Sequence, residues 1–337
     1  MRTSGRLKAL ALAVTLLTGT AGLAACSGSA SPAPSRAAAA ESLSPTPAPA
    51  PHAVTPDDAA EVFAEFVATD DLLRAGGDLR LSLEITRDSE ALLTTAAFES
   101  TGNRPPRYTW GRPTFYVPRF PAGERAPWFS VLVTRDGELT LLTFAKAADW
   151  RLGSATRLLD GQRAPAIALD ADGYATALGS QDESVTISPH YMGPLHATVA
   201  EAGAGGVAAG LIAPGPHTTD IAQEIAAERD EAKIAGFSYD SIFSGNDHPV
   251  YALRTSDGGA LIQYSLTRTT TTTTRTAEKD FIPVPESARW AIGEPVLRRT
   301  LRLSETHQYA TAVPPSSAPA AARVVAHDGA LTRASGE

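Results

Sequence analysis

Residues 128–144 read Trp-Phe-Ser-Val-Leu-Val-Thr-Arg-Asp-Gly-Glu-Leu-Thr-Leu-Leu-Thr-Phe. Asp136-Gly137 is a preferred dipeptide for a two-residue type I′ turn, because both positions need positive φ. Folding about it sets Arg135 opposite Glu138, Val131 opposite Leu142 and Phe129 opposite Phe144. An opposite-charge pair beside the turn and apolar pairs on one face support the same register. An antiparallel hairpin is therefore expected. Short strands are predicted before it, at Thr114–Val117, and after it, at Asp149–Leu158, which carries Trp150 and Leu152.

Two helices are predicted ahead of the hairpin. Thr55 is placed to cap the first, Pro56 suits its first turn, and Asp57 and Asp58 suit its positive end. Val62, Phe63, Phe66 and Val67 then recur at helical spacing. The second helix covers Asp88–Phe98 with Leu92, Leu93 and Ala96 inward, and Gly102 and Pro105-Pro106 end that run.

The order recurs loosely beyond residue 160. Pro165–Asp172 is similar to Pro51–Asp58 and predicts a helix start. Thr218–Ala235 predicts a helix with Ile221 and Ile225 on one face and Gly236 at its stop. Val250–Leu266 predicts a second hairpin about Asp257-Gly258, with Tyr251, Leu253, Ile262 and Tyr264 on one face. The run Thr269–Thr274 suits an edge strand. Further strands are expected near Ala288–Ile292, Val296–Leu303 and His307–Val313, with Val324-Val325 as a weak edge strand. The two Asp-Gly turns are 121 residues apart, and Asp58 and Asp172 are 114 apart. These offsets point to a tandem duplication. The expected class is α+β, in two diverged halves at 55–159 and 160–313, each with helices packed on a curved antiparallel sheet. A mostly disordered tail is expected at 314–337. Each half resembles the cone-shaped NTF2-like or cystatin-like architecture, although the Gly/Ala-rich loop Gly203–Gly215 is longer than a compact cone needs.

Outward from the folded region, residues 26–54 are rich in Pro, Ala and Ser and read as an extended tether. Before it, Arg2, Arg6 and Lys8 precede an uncharged apolar run, Leu7–Gly22 apart from Lys8, that is short for a membrane span. The run leads to Leu23-Ala24-Ala25-Cys26, where Cys26 is the single cysteine of the chain. This resembles the lipobox of bacterial lipoproteins. The resemblance implies a signal peptide at 1–25, acylation of Cys26 by palmitate-type chains, and a protein anchored on the extracytoplasmic face of the cell membrane. The bias to Arg over Lys and the abundance of Ala are similar to those of actinobacterial lipoproteins with uncharacterised extracellular domains.

The 337 residues carry a net charge of −8, which becomes −11 once the three cations of the signal are removed. Without a basic run, nucleic acid is not an expected partner. A chain this acidic is not drawn to anionic lipid either, so the acyl chains must hold it at the membrane. One cysteine excludes an internal disulfide.

Local motifs for chemistry are absent. The sequence has no H-E-x-x-H, no P-loop Gly-x-x-x-x-Gly-Lys and no Gly-x-Ser-x-Gly elbow. Gly236-Phe237-Ser238-Tyr239-Asp240 lacks the second glycine and reads as a helix stop. His190 and His196 do not share a helix face, and with His217 and Asp220 they converge on a metal only by tertiary accident, so they read as surface histidines. Asp170-Ala171-Asp172-Gly173 starts like a calcium loop but lacks the later ligands, so it reads as a helix start. Asp247-His248-Pro249 reads as a turn, and Asp70-Asp71 and Asp182-Glu183 as solvated acids. No catalytic residue, metal ligand or cofactor is assigned. Aromatics concentrate between Tyr108 and Trp128. They suit either a core closing the open end of the sheet or a ligand surface, and Trp110, Tyr116 and Trp128 are the candidate binding residues. The expected function is a non-enzymatic module for a small ligand or an envelope protein. The alternative is an extracytoplasmic hydrolase with a site assembled from scattered residues.

Overall fold

The computed structural model describes residues 53–245, 248–275 and 281–337. Its helices are α1 (Pro56–Gly76), α2 (Leu79–Ser82), α3 (Asp88–Ser100), α4 (Met192–Ala202) and α5 (Asp220–Ile234). Its strands are β1 (Thr114–Tyr116), β2 (Trp128–Arg135), β3 (Glu138–Lys146), β4 (Trp150–Leu158), β5 (Phe237–Ser244), β6 (Tyr251–Arg254), β7 (Ala260–Thr274), β8 (Ile282–Pro283), β9 (Val296–Leu297), β10 (Thr300–Val313) and β11 (Arg323–Gly336). No helix among the described residues is long and apolar enough to cross a membrane.

The start of α1 follows the sequence logic, whereas neither Thr218 nor Thr219 caps α5 through its side chain. The Thr55 hydroxyl accepts from the Asp58 N–H at 3.1 Å, and the Asp58 carboxylate accepts from the Thr55 N–H at 2.8 Å. This closes a reciprocal capping box with Pro56 in the first turn. α1 then buries Ala59, Phe63 and Phe66 against Phe129, Val131, Leu142 and Phe144.

Nine strands form one antiparallel sheet in the order β1-β2-β3-β4-β11-β10-β7-β5, with β6 also on β7, while β8 and β9 form a small separate pair. The β2–β3 register is the one expected from the sequence, with Arg135 opposite Glu138 and Phe129 opposite Phe144. The sheet curls until distant strands meet across its concave side. The Trp128 ring on β2 lies 5.2 Å from Tyr251 on β6. Gln263 on β7 donates to Ser130 at 3.0 Å and accepts from Thr143 at 2.7 Å. Side-chain alternation therefore gives each strand two buried faces. The concave face holds Trp128, Leu141, Leu253, Leu261 and Ala310. α1 covers one end of the convex face, and α4 covers the other over Ile262, Tyr264 and Tyr309.

The fold class is thus α+β with a large antiparallel sheet, but two separate cones packed on one another are not what forms. The strands of 114–158 and of 237–336 share one sheet, joined where β4 meets β11. Residues 323–336, expected in a disordered tail, form β11 between β4 and β10. Alternation in this segment is masked by Gly329 and small residues, so its strand character comes from its two neighbours. Likewise the Thr run is no edge. Thr269–Thr274 lies on β7 between β5 and β10.

Three local expectations also fail. Asp172 starts no helix, because Asp170 instead accepts backbone N–H bonds from Asp172 and Tyr174 in a turn, and Arg119 pairs with both acids. The β6–β7 connection runs through Thr255–Gly259 rather than a two-residue turn, with Thr255 N–H donating to Gly259 O and Gly258 at φ 86°. Leu253 consequently pairs with Leu261 and Ala252 with Ile262. This is a one-residue slip, which sends Tyr251 and Leu253 to the concave core and Ile262 and Tyr264 to the convex one. No strand forms at 288–292, where Ala288 ends a short 3-10 helix (Glu286–Ala288) and residues 289–291 form a turn.

α3 inserts polar groups into the concave side, so Leu92 is exposed while Ser89 and Glu90 are buried. Gln308 donates to Ser89 at 2.9 Å and to Glu90 at 3.2 Å, and accepts from Ala155 N–H at 2.7 Å. Burial pushes the Glu90 carboxyl up to about 7, against the lowering pull of Arg135. Asp70 is not solvated. It forms a buried pair with Arg74 at 2.8 Å, and the Arg74 and Arg135 guanidinium groups both lie against the Tyr108 ring.

Candidate functional site

The three aromatic candidates do not converge. Trp110 sits on the α1 side, edge-on to Phe63 at 5.9 Å and to Tyr108 at 5.8 Å. Trp128 is buried on the concave side against Phe120 and Tyr251. Tyr116, cross-strand from Ser130, shares that concave side. The β1–β2 register puts Phe115 and Tyr116 on opposite faces, which divides the cluster between two cores. Cys26 lies outside the described residues.

A cavity of about 730 Å³ opens elsewhere, on the convex side where β4 and β11 meet the loop 213–218. Its origin is a row of cross-strand partners. Arg157 on β4 pairs with His327 on β11, His327 with Tyr309 on β10, and Tyr309 with Tyr264 on β7. α4 lays His196 over the tyrosine end of the row, with its ring 4.5 Å from Tyr309. The Arg157–His327 end borders the cavity.

Four histidines from four segments meet here. His196 Nδ1 bonds the Tyr264 hydroxyl at 2.8 Å, and its Nε2 bonds the His217 carbonyl at 2.6 Å. The second bond fixes the loop that carries the His217 ring, which lies 4.4 Å from the His327 ring. His307 Nδ1 is 3.1 Å from His327 Nε2, so one ring donates to the other. Gly329 makes room for this pair. It sits opposite His307, and a Cβ there would lie 2.5 Å from Nδ1. Burial holds all four imidazoles neutral. His196 and His307 are lowered to about 4 and His327 to about 3, while His217 is lowered as well.

The rest of the wall combines charge with apolar surface. Leu158, Leu159, Pro214, Pro216 and Val324 are apolar, whereas Arg157, Arg323, Glu138 and Asp160 are charged. None of these four makes an ion pair among the described residues. Arginines elsewhere do, as Arg254 with Asp182 and Arg268 with Glu224. The Thr218 hydroxyl donates to the carbonyls of Ala213 and Gly215 and is not set up as a nucleophile. Among the described residues no group of three His, Cys, Asp or Glu side chains is placed to hold a metal ion.

A family model described as a domain of unknown function, DUF8094, matches residues 50–336. The chain belongs to this family. The chain is 30% identical over 230 residues to an uncharacterized lipoprotein of Streptomyces coelicolor. That match covers 66% of this chain and 62% of the relative's length. No solved structure matches the chain.

Trp110, Tyr116 and Trp128, the candidates from the sequence, lie apart from this cavity. His196, expected at the surface, is instead fully buried on α4 and bonds the His217 carbonyl, while His190 stays outside the cluster on the Ser180 carbonyl. Asp220 starts α5 and holds the Thr219 hydroxyl. His307 and His327 carried no local signal, because their partnership depends on the β10–β11 register.

Proposed function

We propose that this chain is a lipid-anchored, non-enzymatic binding module whose ligand occupies the cavity between β4, β11 and the loop 213–218. The carrying observation is that cavity's wall, where neutral imidazoles and charges without an ion pair among the described residues flank apolar surface. Concave sites with an apolar lining and a few oriented polar groups are the usual form of small-ligand sites. For the anchor, support comes from Leu23–Cys26 and from the lipoprotein relative. On this reading residues 1–25 are the signal, Cys26 carries the acyl chains, and residues 26–54 space the domain from the extracytoplasmic face of the membrane. The two-half organisation, 55–159 and 160–313, is retained as a proposal about ancestry, supported by two antiparallel strand groups joined at β4–β11.

The anchor is tested by fractionation. A Cys26→Ala protein is expected in the soluble or the uncleaved fraction, and a processed variant still in membranes would overturn the anchor. Ligand binding is tested by thermal shift of the full chain against cell-wall fragments and lipids.

A second reading, hydrolysis, has one observation in its favour. His327 borders the cavity with Nε2 engaged by His307, and its Nδ1 makes no hydrogen bond among the described residues. A neutral imidazole held through its far nitrogen presents a free ring nitrogen as a general base does, but burial makes this ring a weak one, which ranks the reading second. Turnover of ester, peptide or glycoside substrates that survives repurification and is lost in His327→Ala would establish this second reading.

A further inference from the structure

We infer that the ligand of this cavity is a zwitterion of short-peptide size, held by its two opposite charges and by an apolar side chain between them. This rests on the ligand-binding reading above and names the chemical class of the occupant.

Charge balance carries the inference. Arg157 and Arg323 line the cavity together with Glu138 and Asp160, so the wall has two charges of each sign. None of the four is neutralised by an ion pair among the described residues. A purely anionic ligand would meet the two arginines but bring its charge beside two carboxylates. A purely cationic ligand would meet the converse. A molecule with a carboxylate and an ammonium group satisfies both pairs. Arginine forks suit a carboxylate in two-pronged geometry. Glu138 and Asp160 accept from an ammonium group.

Size and apolar surface narrow the class. About 730 Å³ falls within the range of drug-sized ligand sites and exceeds what a single amino acid fills. Leu158, Leu159 and Val324 with the two prolines give a side chain between the termini an apolar wall. His217 and His327 add neutral ring nitrogens, able to donate to or accept from a peptide group.

The test is isothermal titration of the full chain, extracted in detergent with empty micelles as blank. The probe is alanyl-leucyl-alanine in four forms: free, N-acetylated, C-amidated and doubly blocked. The free peptide is expected to bind, and each single block to weaken binding about tenfold or more. In Arg157→Ala the free and C-amidated forms should bind alike. In Glu138→Gln the penalty for N-acetylation should shrink. Melting curves check that both variants remain folded. Equal binding of the free and doubly blocked peptides would overturn the zwitterion while leaving the ligand-binding reading intact. So would discrimination unchanged in both variants, since the peptide would then sit elsewhere. If no form binds at millimolar concentration, the zwitterion falls, and the thermal-shift screen decides separately on the cavity as a ligand site.

Discussion

His307 and Gly329 face each other across β10 and β11, and the imidazole fills the space a side chain at 329 would take. Gly329→Ala forces the ring from His327 and is expected to cost about 1–3 kcal/mol, read as a lowered urea midpoint. The imidazoles also impose a pH dependence. Above about pH 6.5 His196, His307 and His327 are neutral in the folded and unfolded chain alike, and their contribution is complete. As pH falls below 6.5 the unfolded chain takes up protons that the folded chain refuses until about 4, 4 and 3. Stability therefore drops on acidification, by at most about 1.4 kcal/mol per pH unit for each ring. Glu90 works the other way. Its carboxyl is raised from 4.5 to about 7, so its contribution is complete below 4.5 and lost as pH rises through 7. Between pH 4.5 and 6.5 four lowered rings, His217 included, oppose the raised carboxyls of Glu90, Glu305 and Asp70, and with most of the shifted groups being rings the midpoint should fall from pH 6.5 to 5. The fall should be shallower in His327→Gln and steeper in Glu90→Gln. A midpoint that rises on acidification would show that the rings are not held neutral.

At the scale of elements, β11 has the largest consequence. It pairs with β10 along nearly its full length and with β4 at Ala326 and His327. Truncation after Ala322 removes the strand between β4 and β10 and exposes the buried faces of Tyr309 and Ala310. The truncated chain is expected to be insoluble or protease-sensitive, whereas a loose tail would be dispensable. Soluble, protease-resistant protein ending at residue 322 would contradict this role. The β6–β7 loop shows how one residue redirects a strand. Asp257 accepts from Gly259 N–H at 3.1 Å and from the Thr255 hydroxyl, which holds a five-residue connection. A two-residue turn read from Asp257-Gly258 alone misplaces four side chains. Asp136-Gly137, with φ 52° and 92°, has no competing side-chain bond from residue 138, and its register is the expected one.

For the whole molecule the question is whether the two strand groups unfold together. Their direct seam, β4 on β11, has only two register pairs. Yet the Gln263 bonds to Ser130 and Thr143, the Gln308 bonds to Ser89 and Ala155, and the Arg135–Asp328 pair at 3.0 Å all cross between them. Partially unfolding either group would leave buried polar groups of the other unsatisfied. A single transition is expected. Trp110, Trp128 and Trp150 lie before residue 160, so tryptophan fluorescence reports mainly that part, while far-ultraviolet dichroism reports all of the domain. Coincident midpoints from both probes support one cooperative unit. Separated midpoints would show independent halves.

Sequence by itself determined what depends on neighbours along the chain. The capping box at Thr55, the Asp136-Gly137 hairpin, the extent of α5 and the α+β class all follow from contacts a few residues apart. Tertiary structure alone decided what depends on register and curvature. Small residues let β11 be a strand only because β4 and β10 supply its ladder. α3 turned Leu92 outward because the concave side offered Gln308 to its polar face. The imidazole cluster arose from α4, a loop, β10 and β11, whose members are up to 131 residues apart in the chain. No local pattern encodes such a meeting, because the physical cause is the curl of one sheet and the helix laid across it.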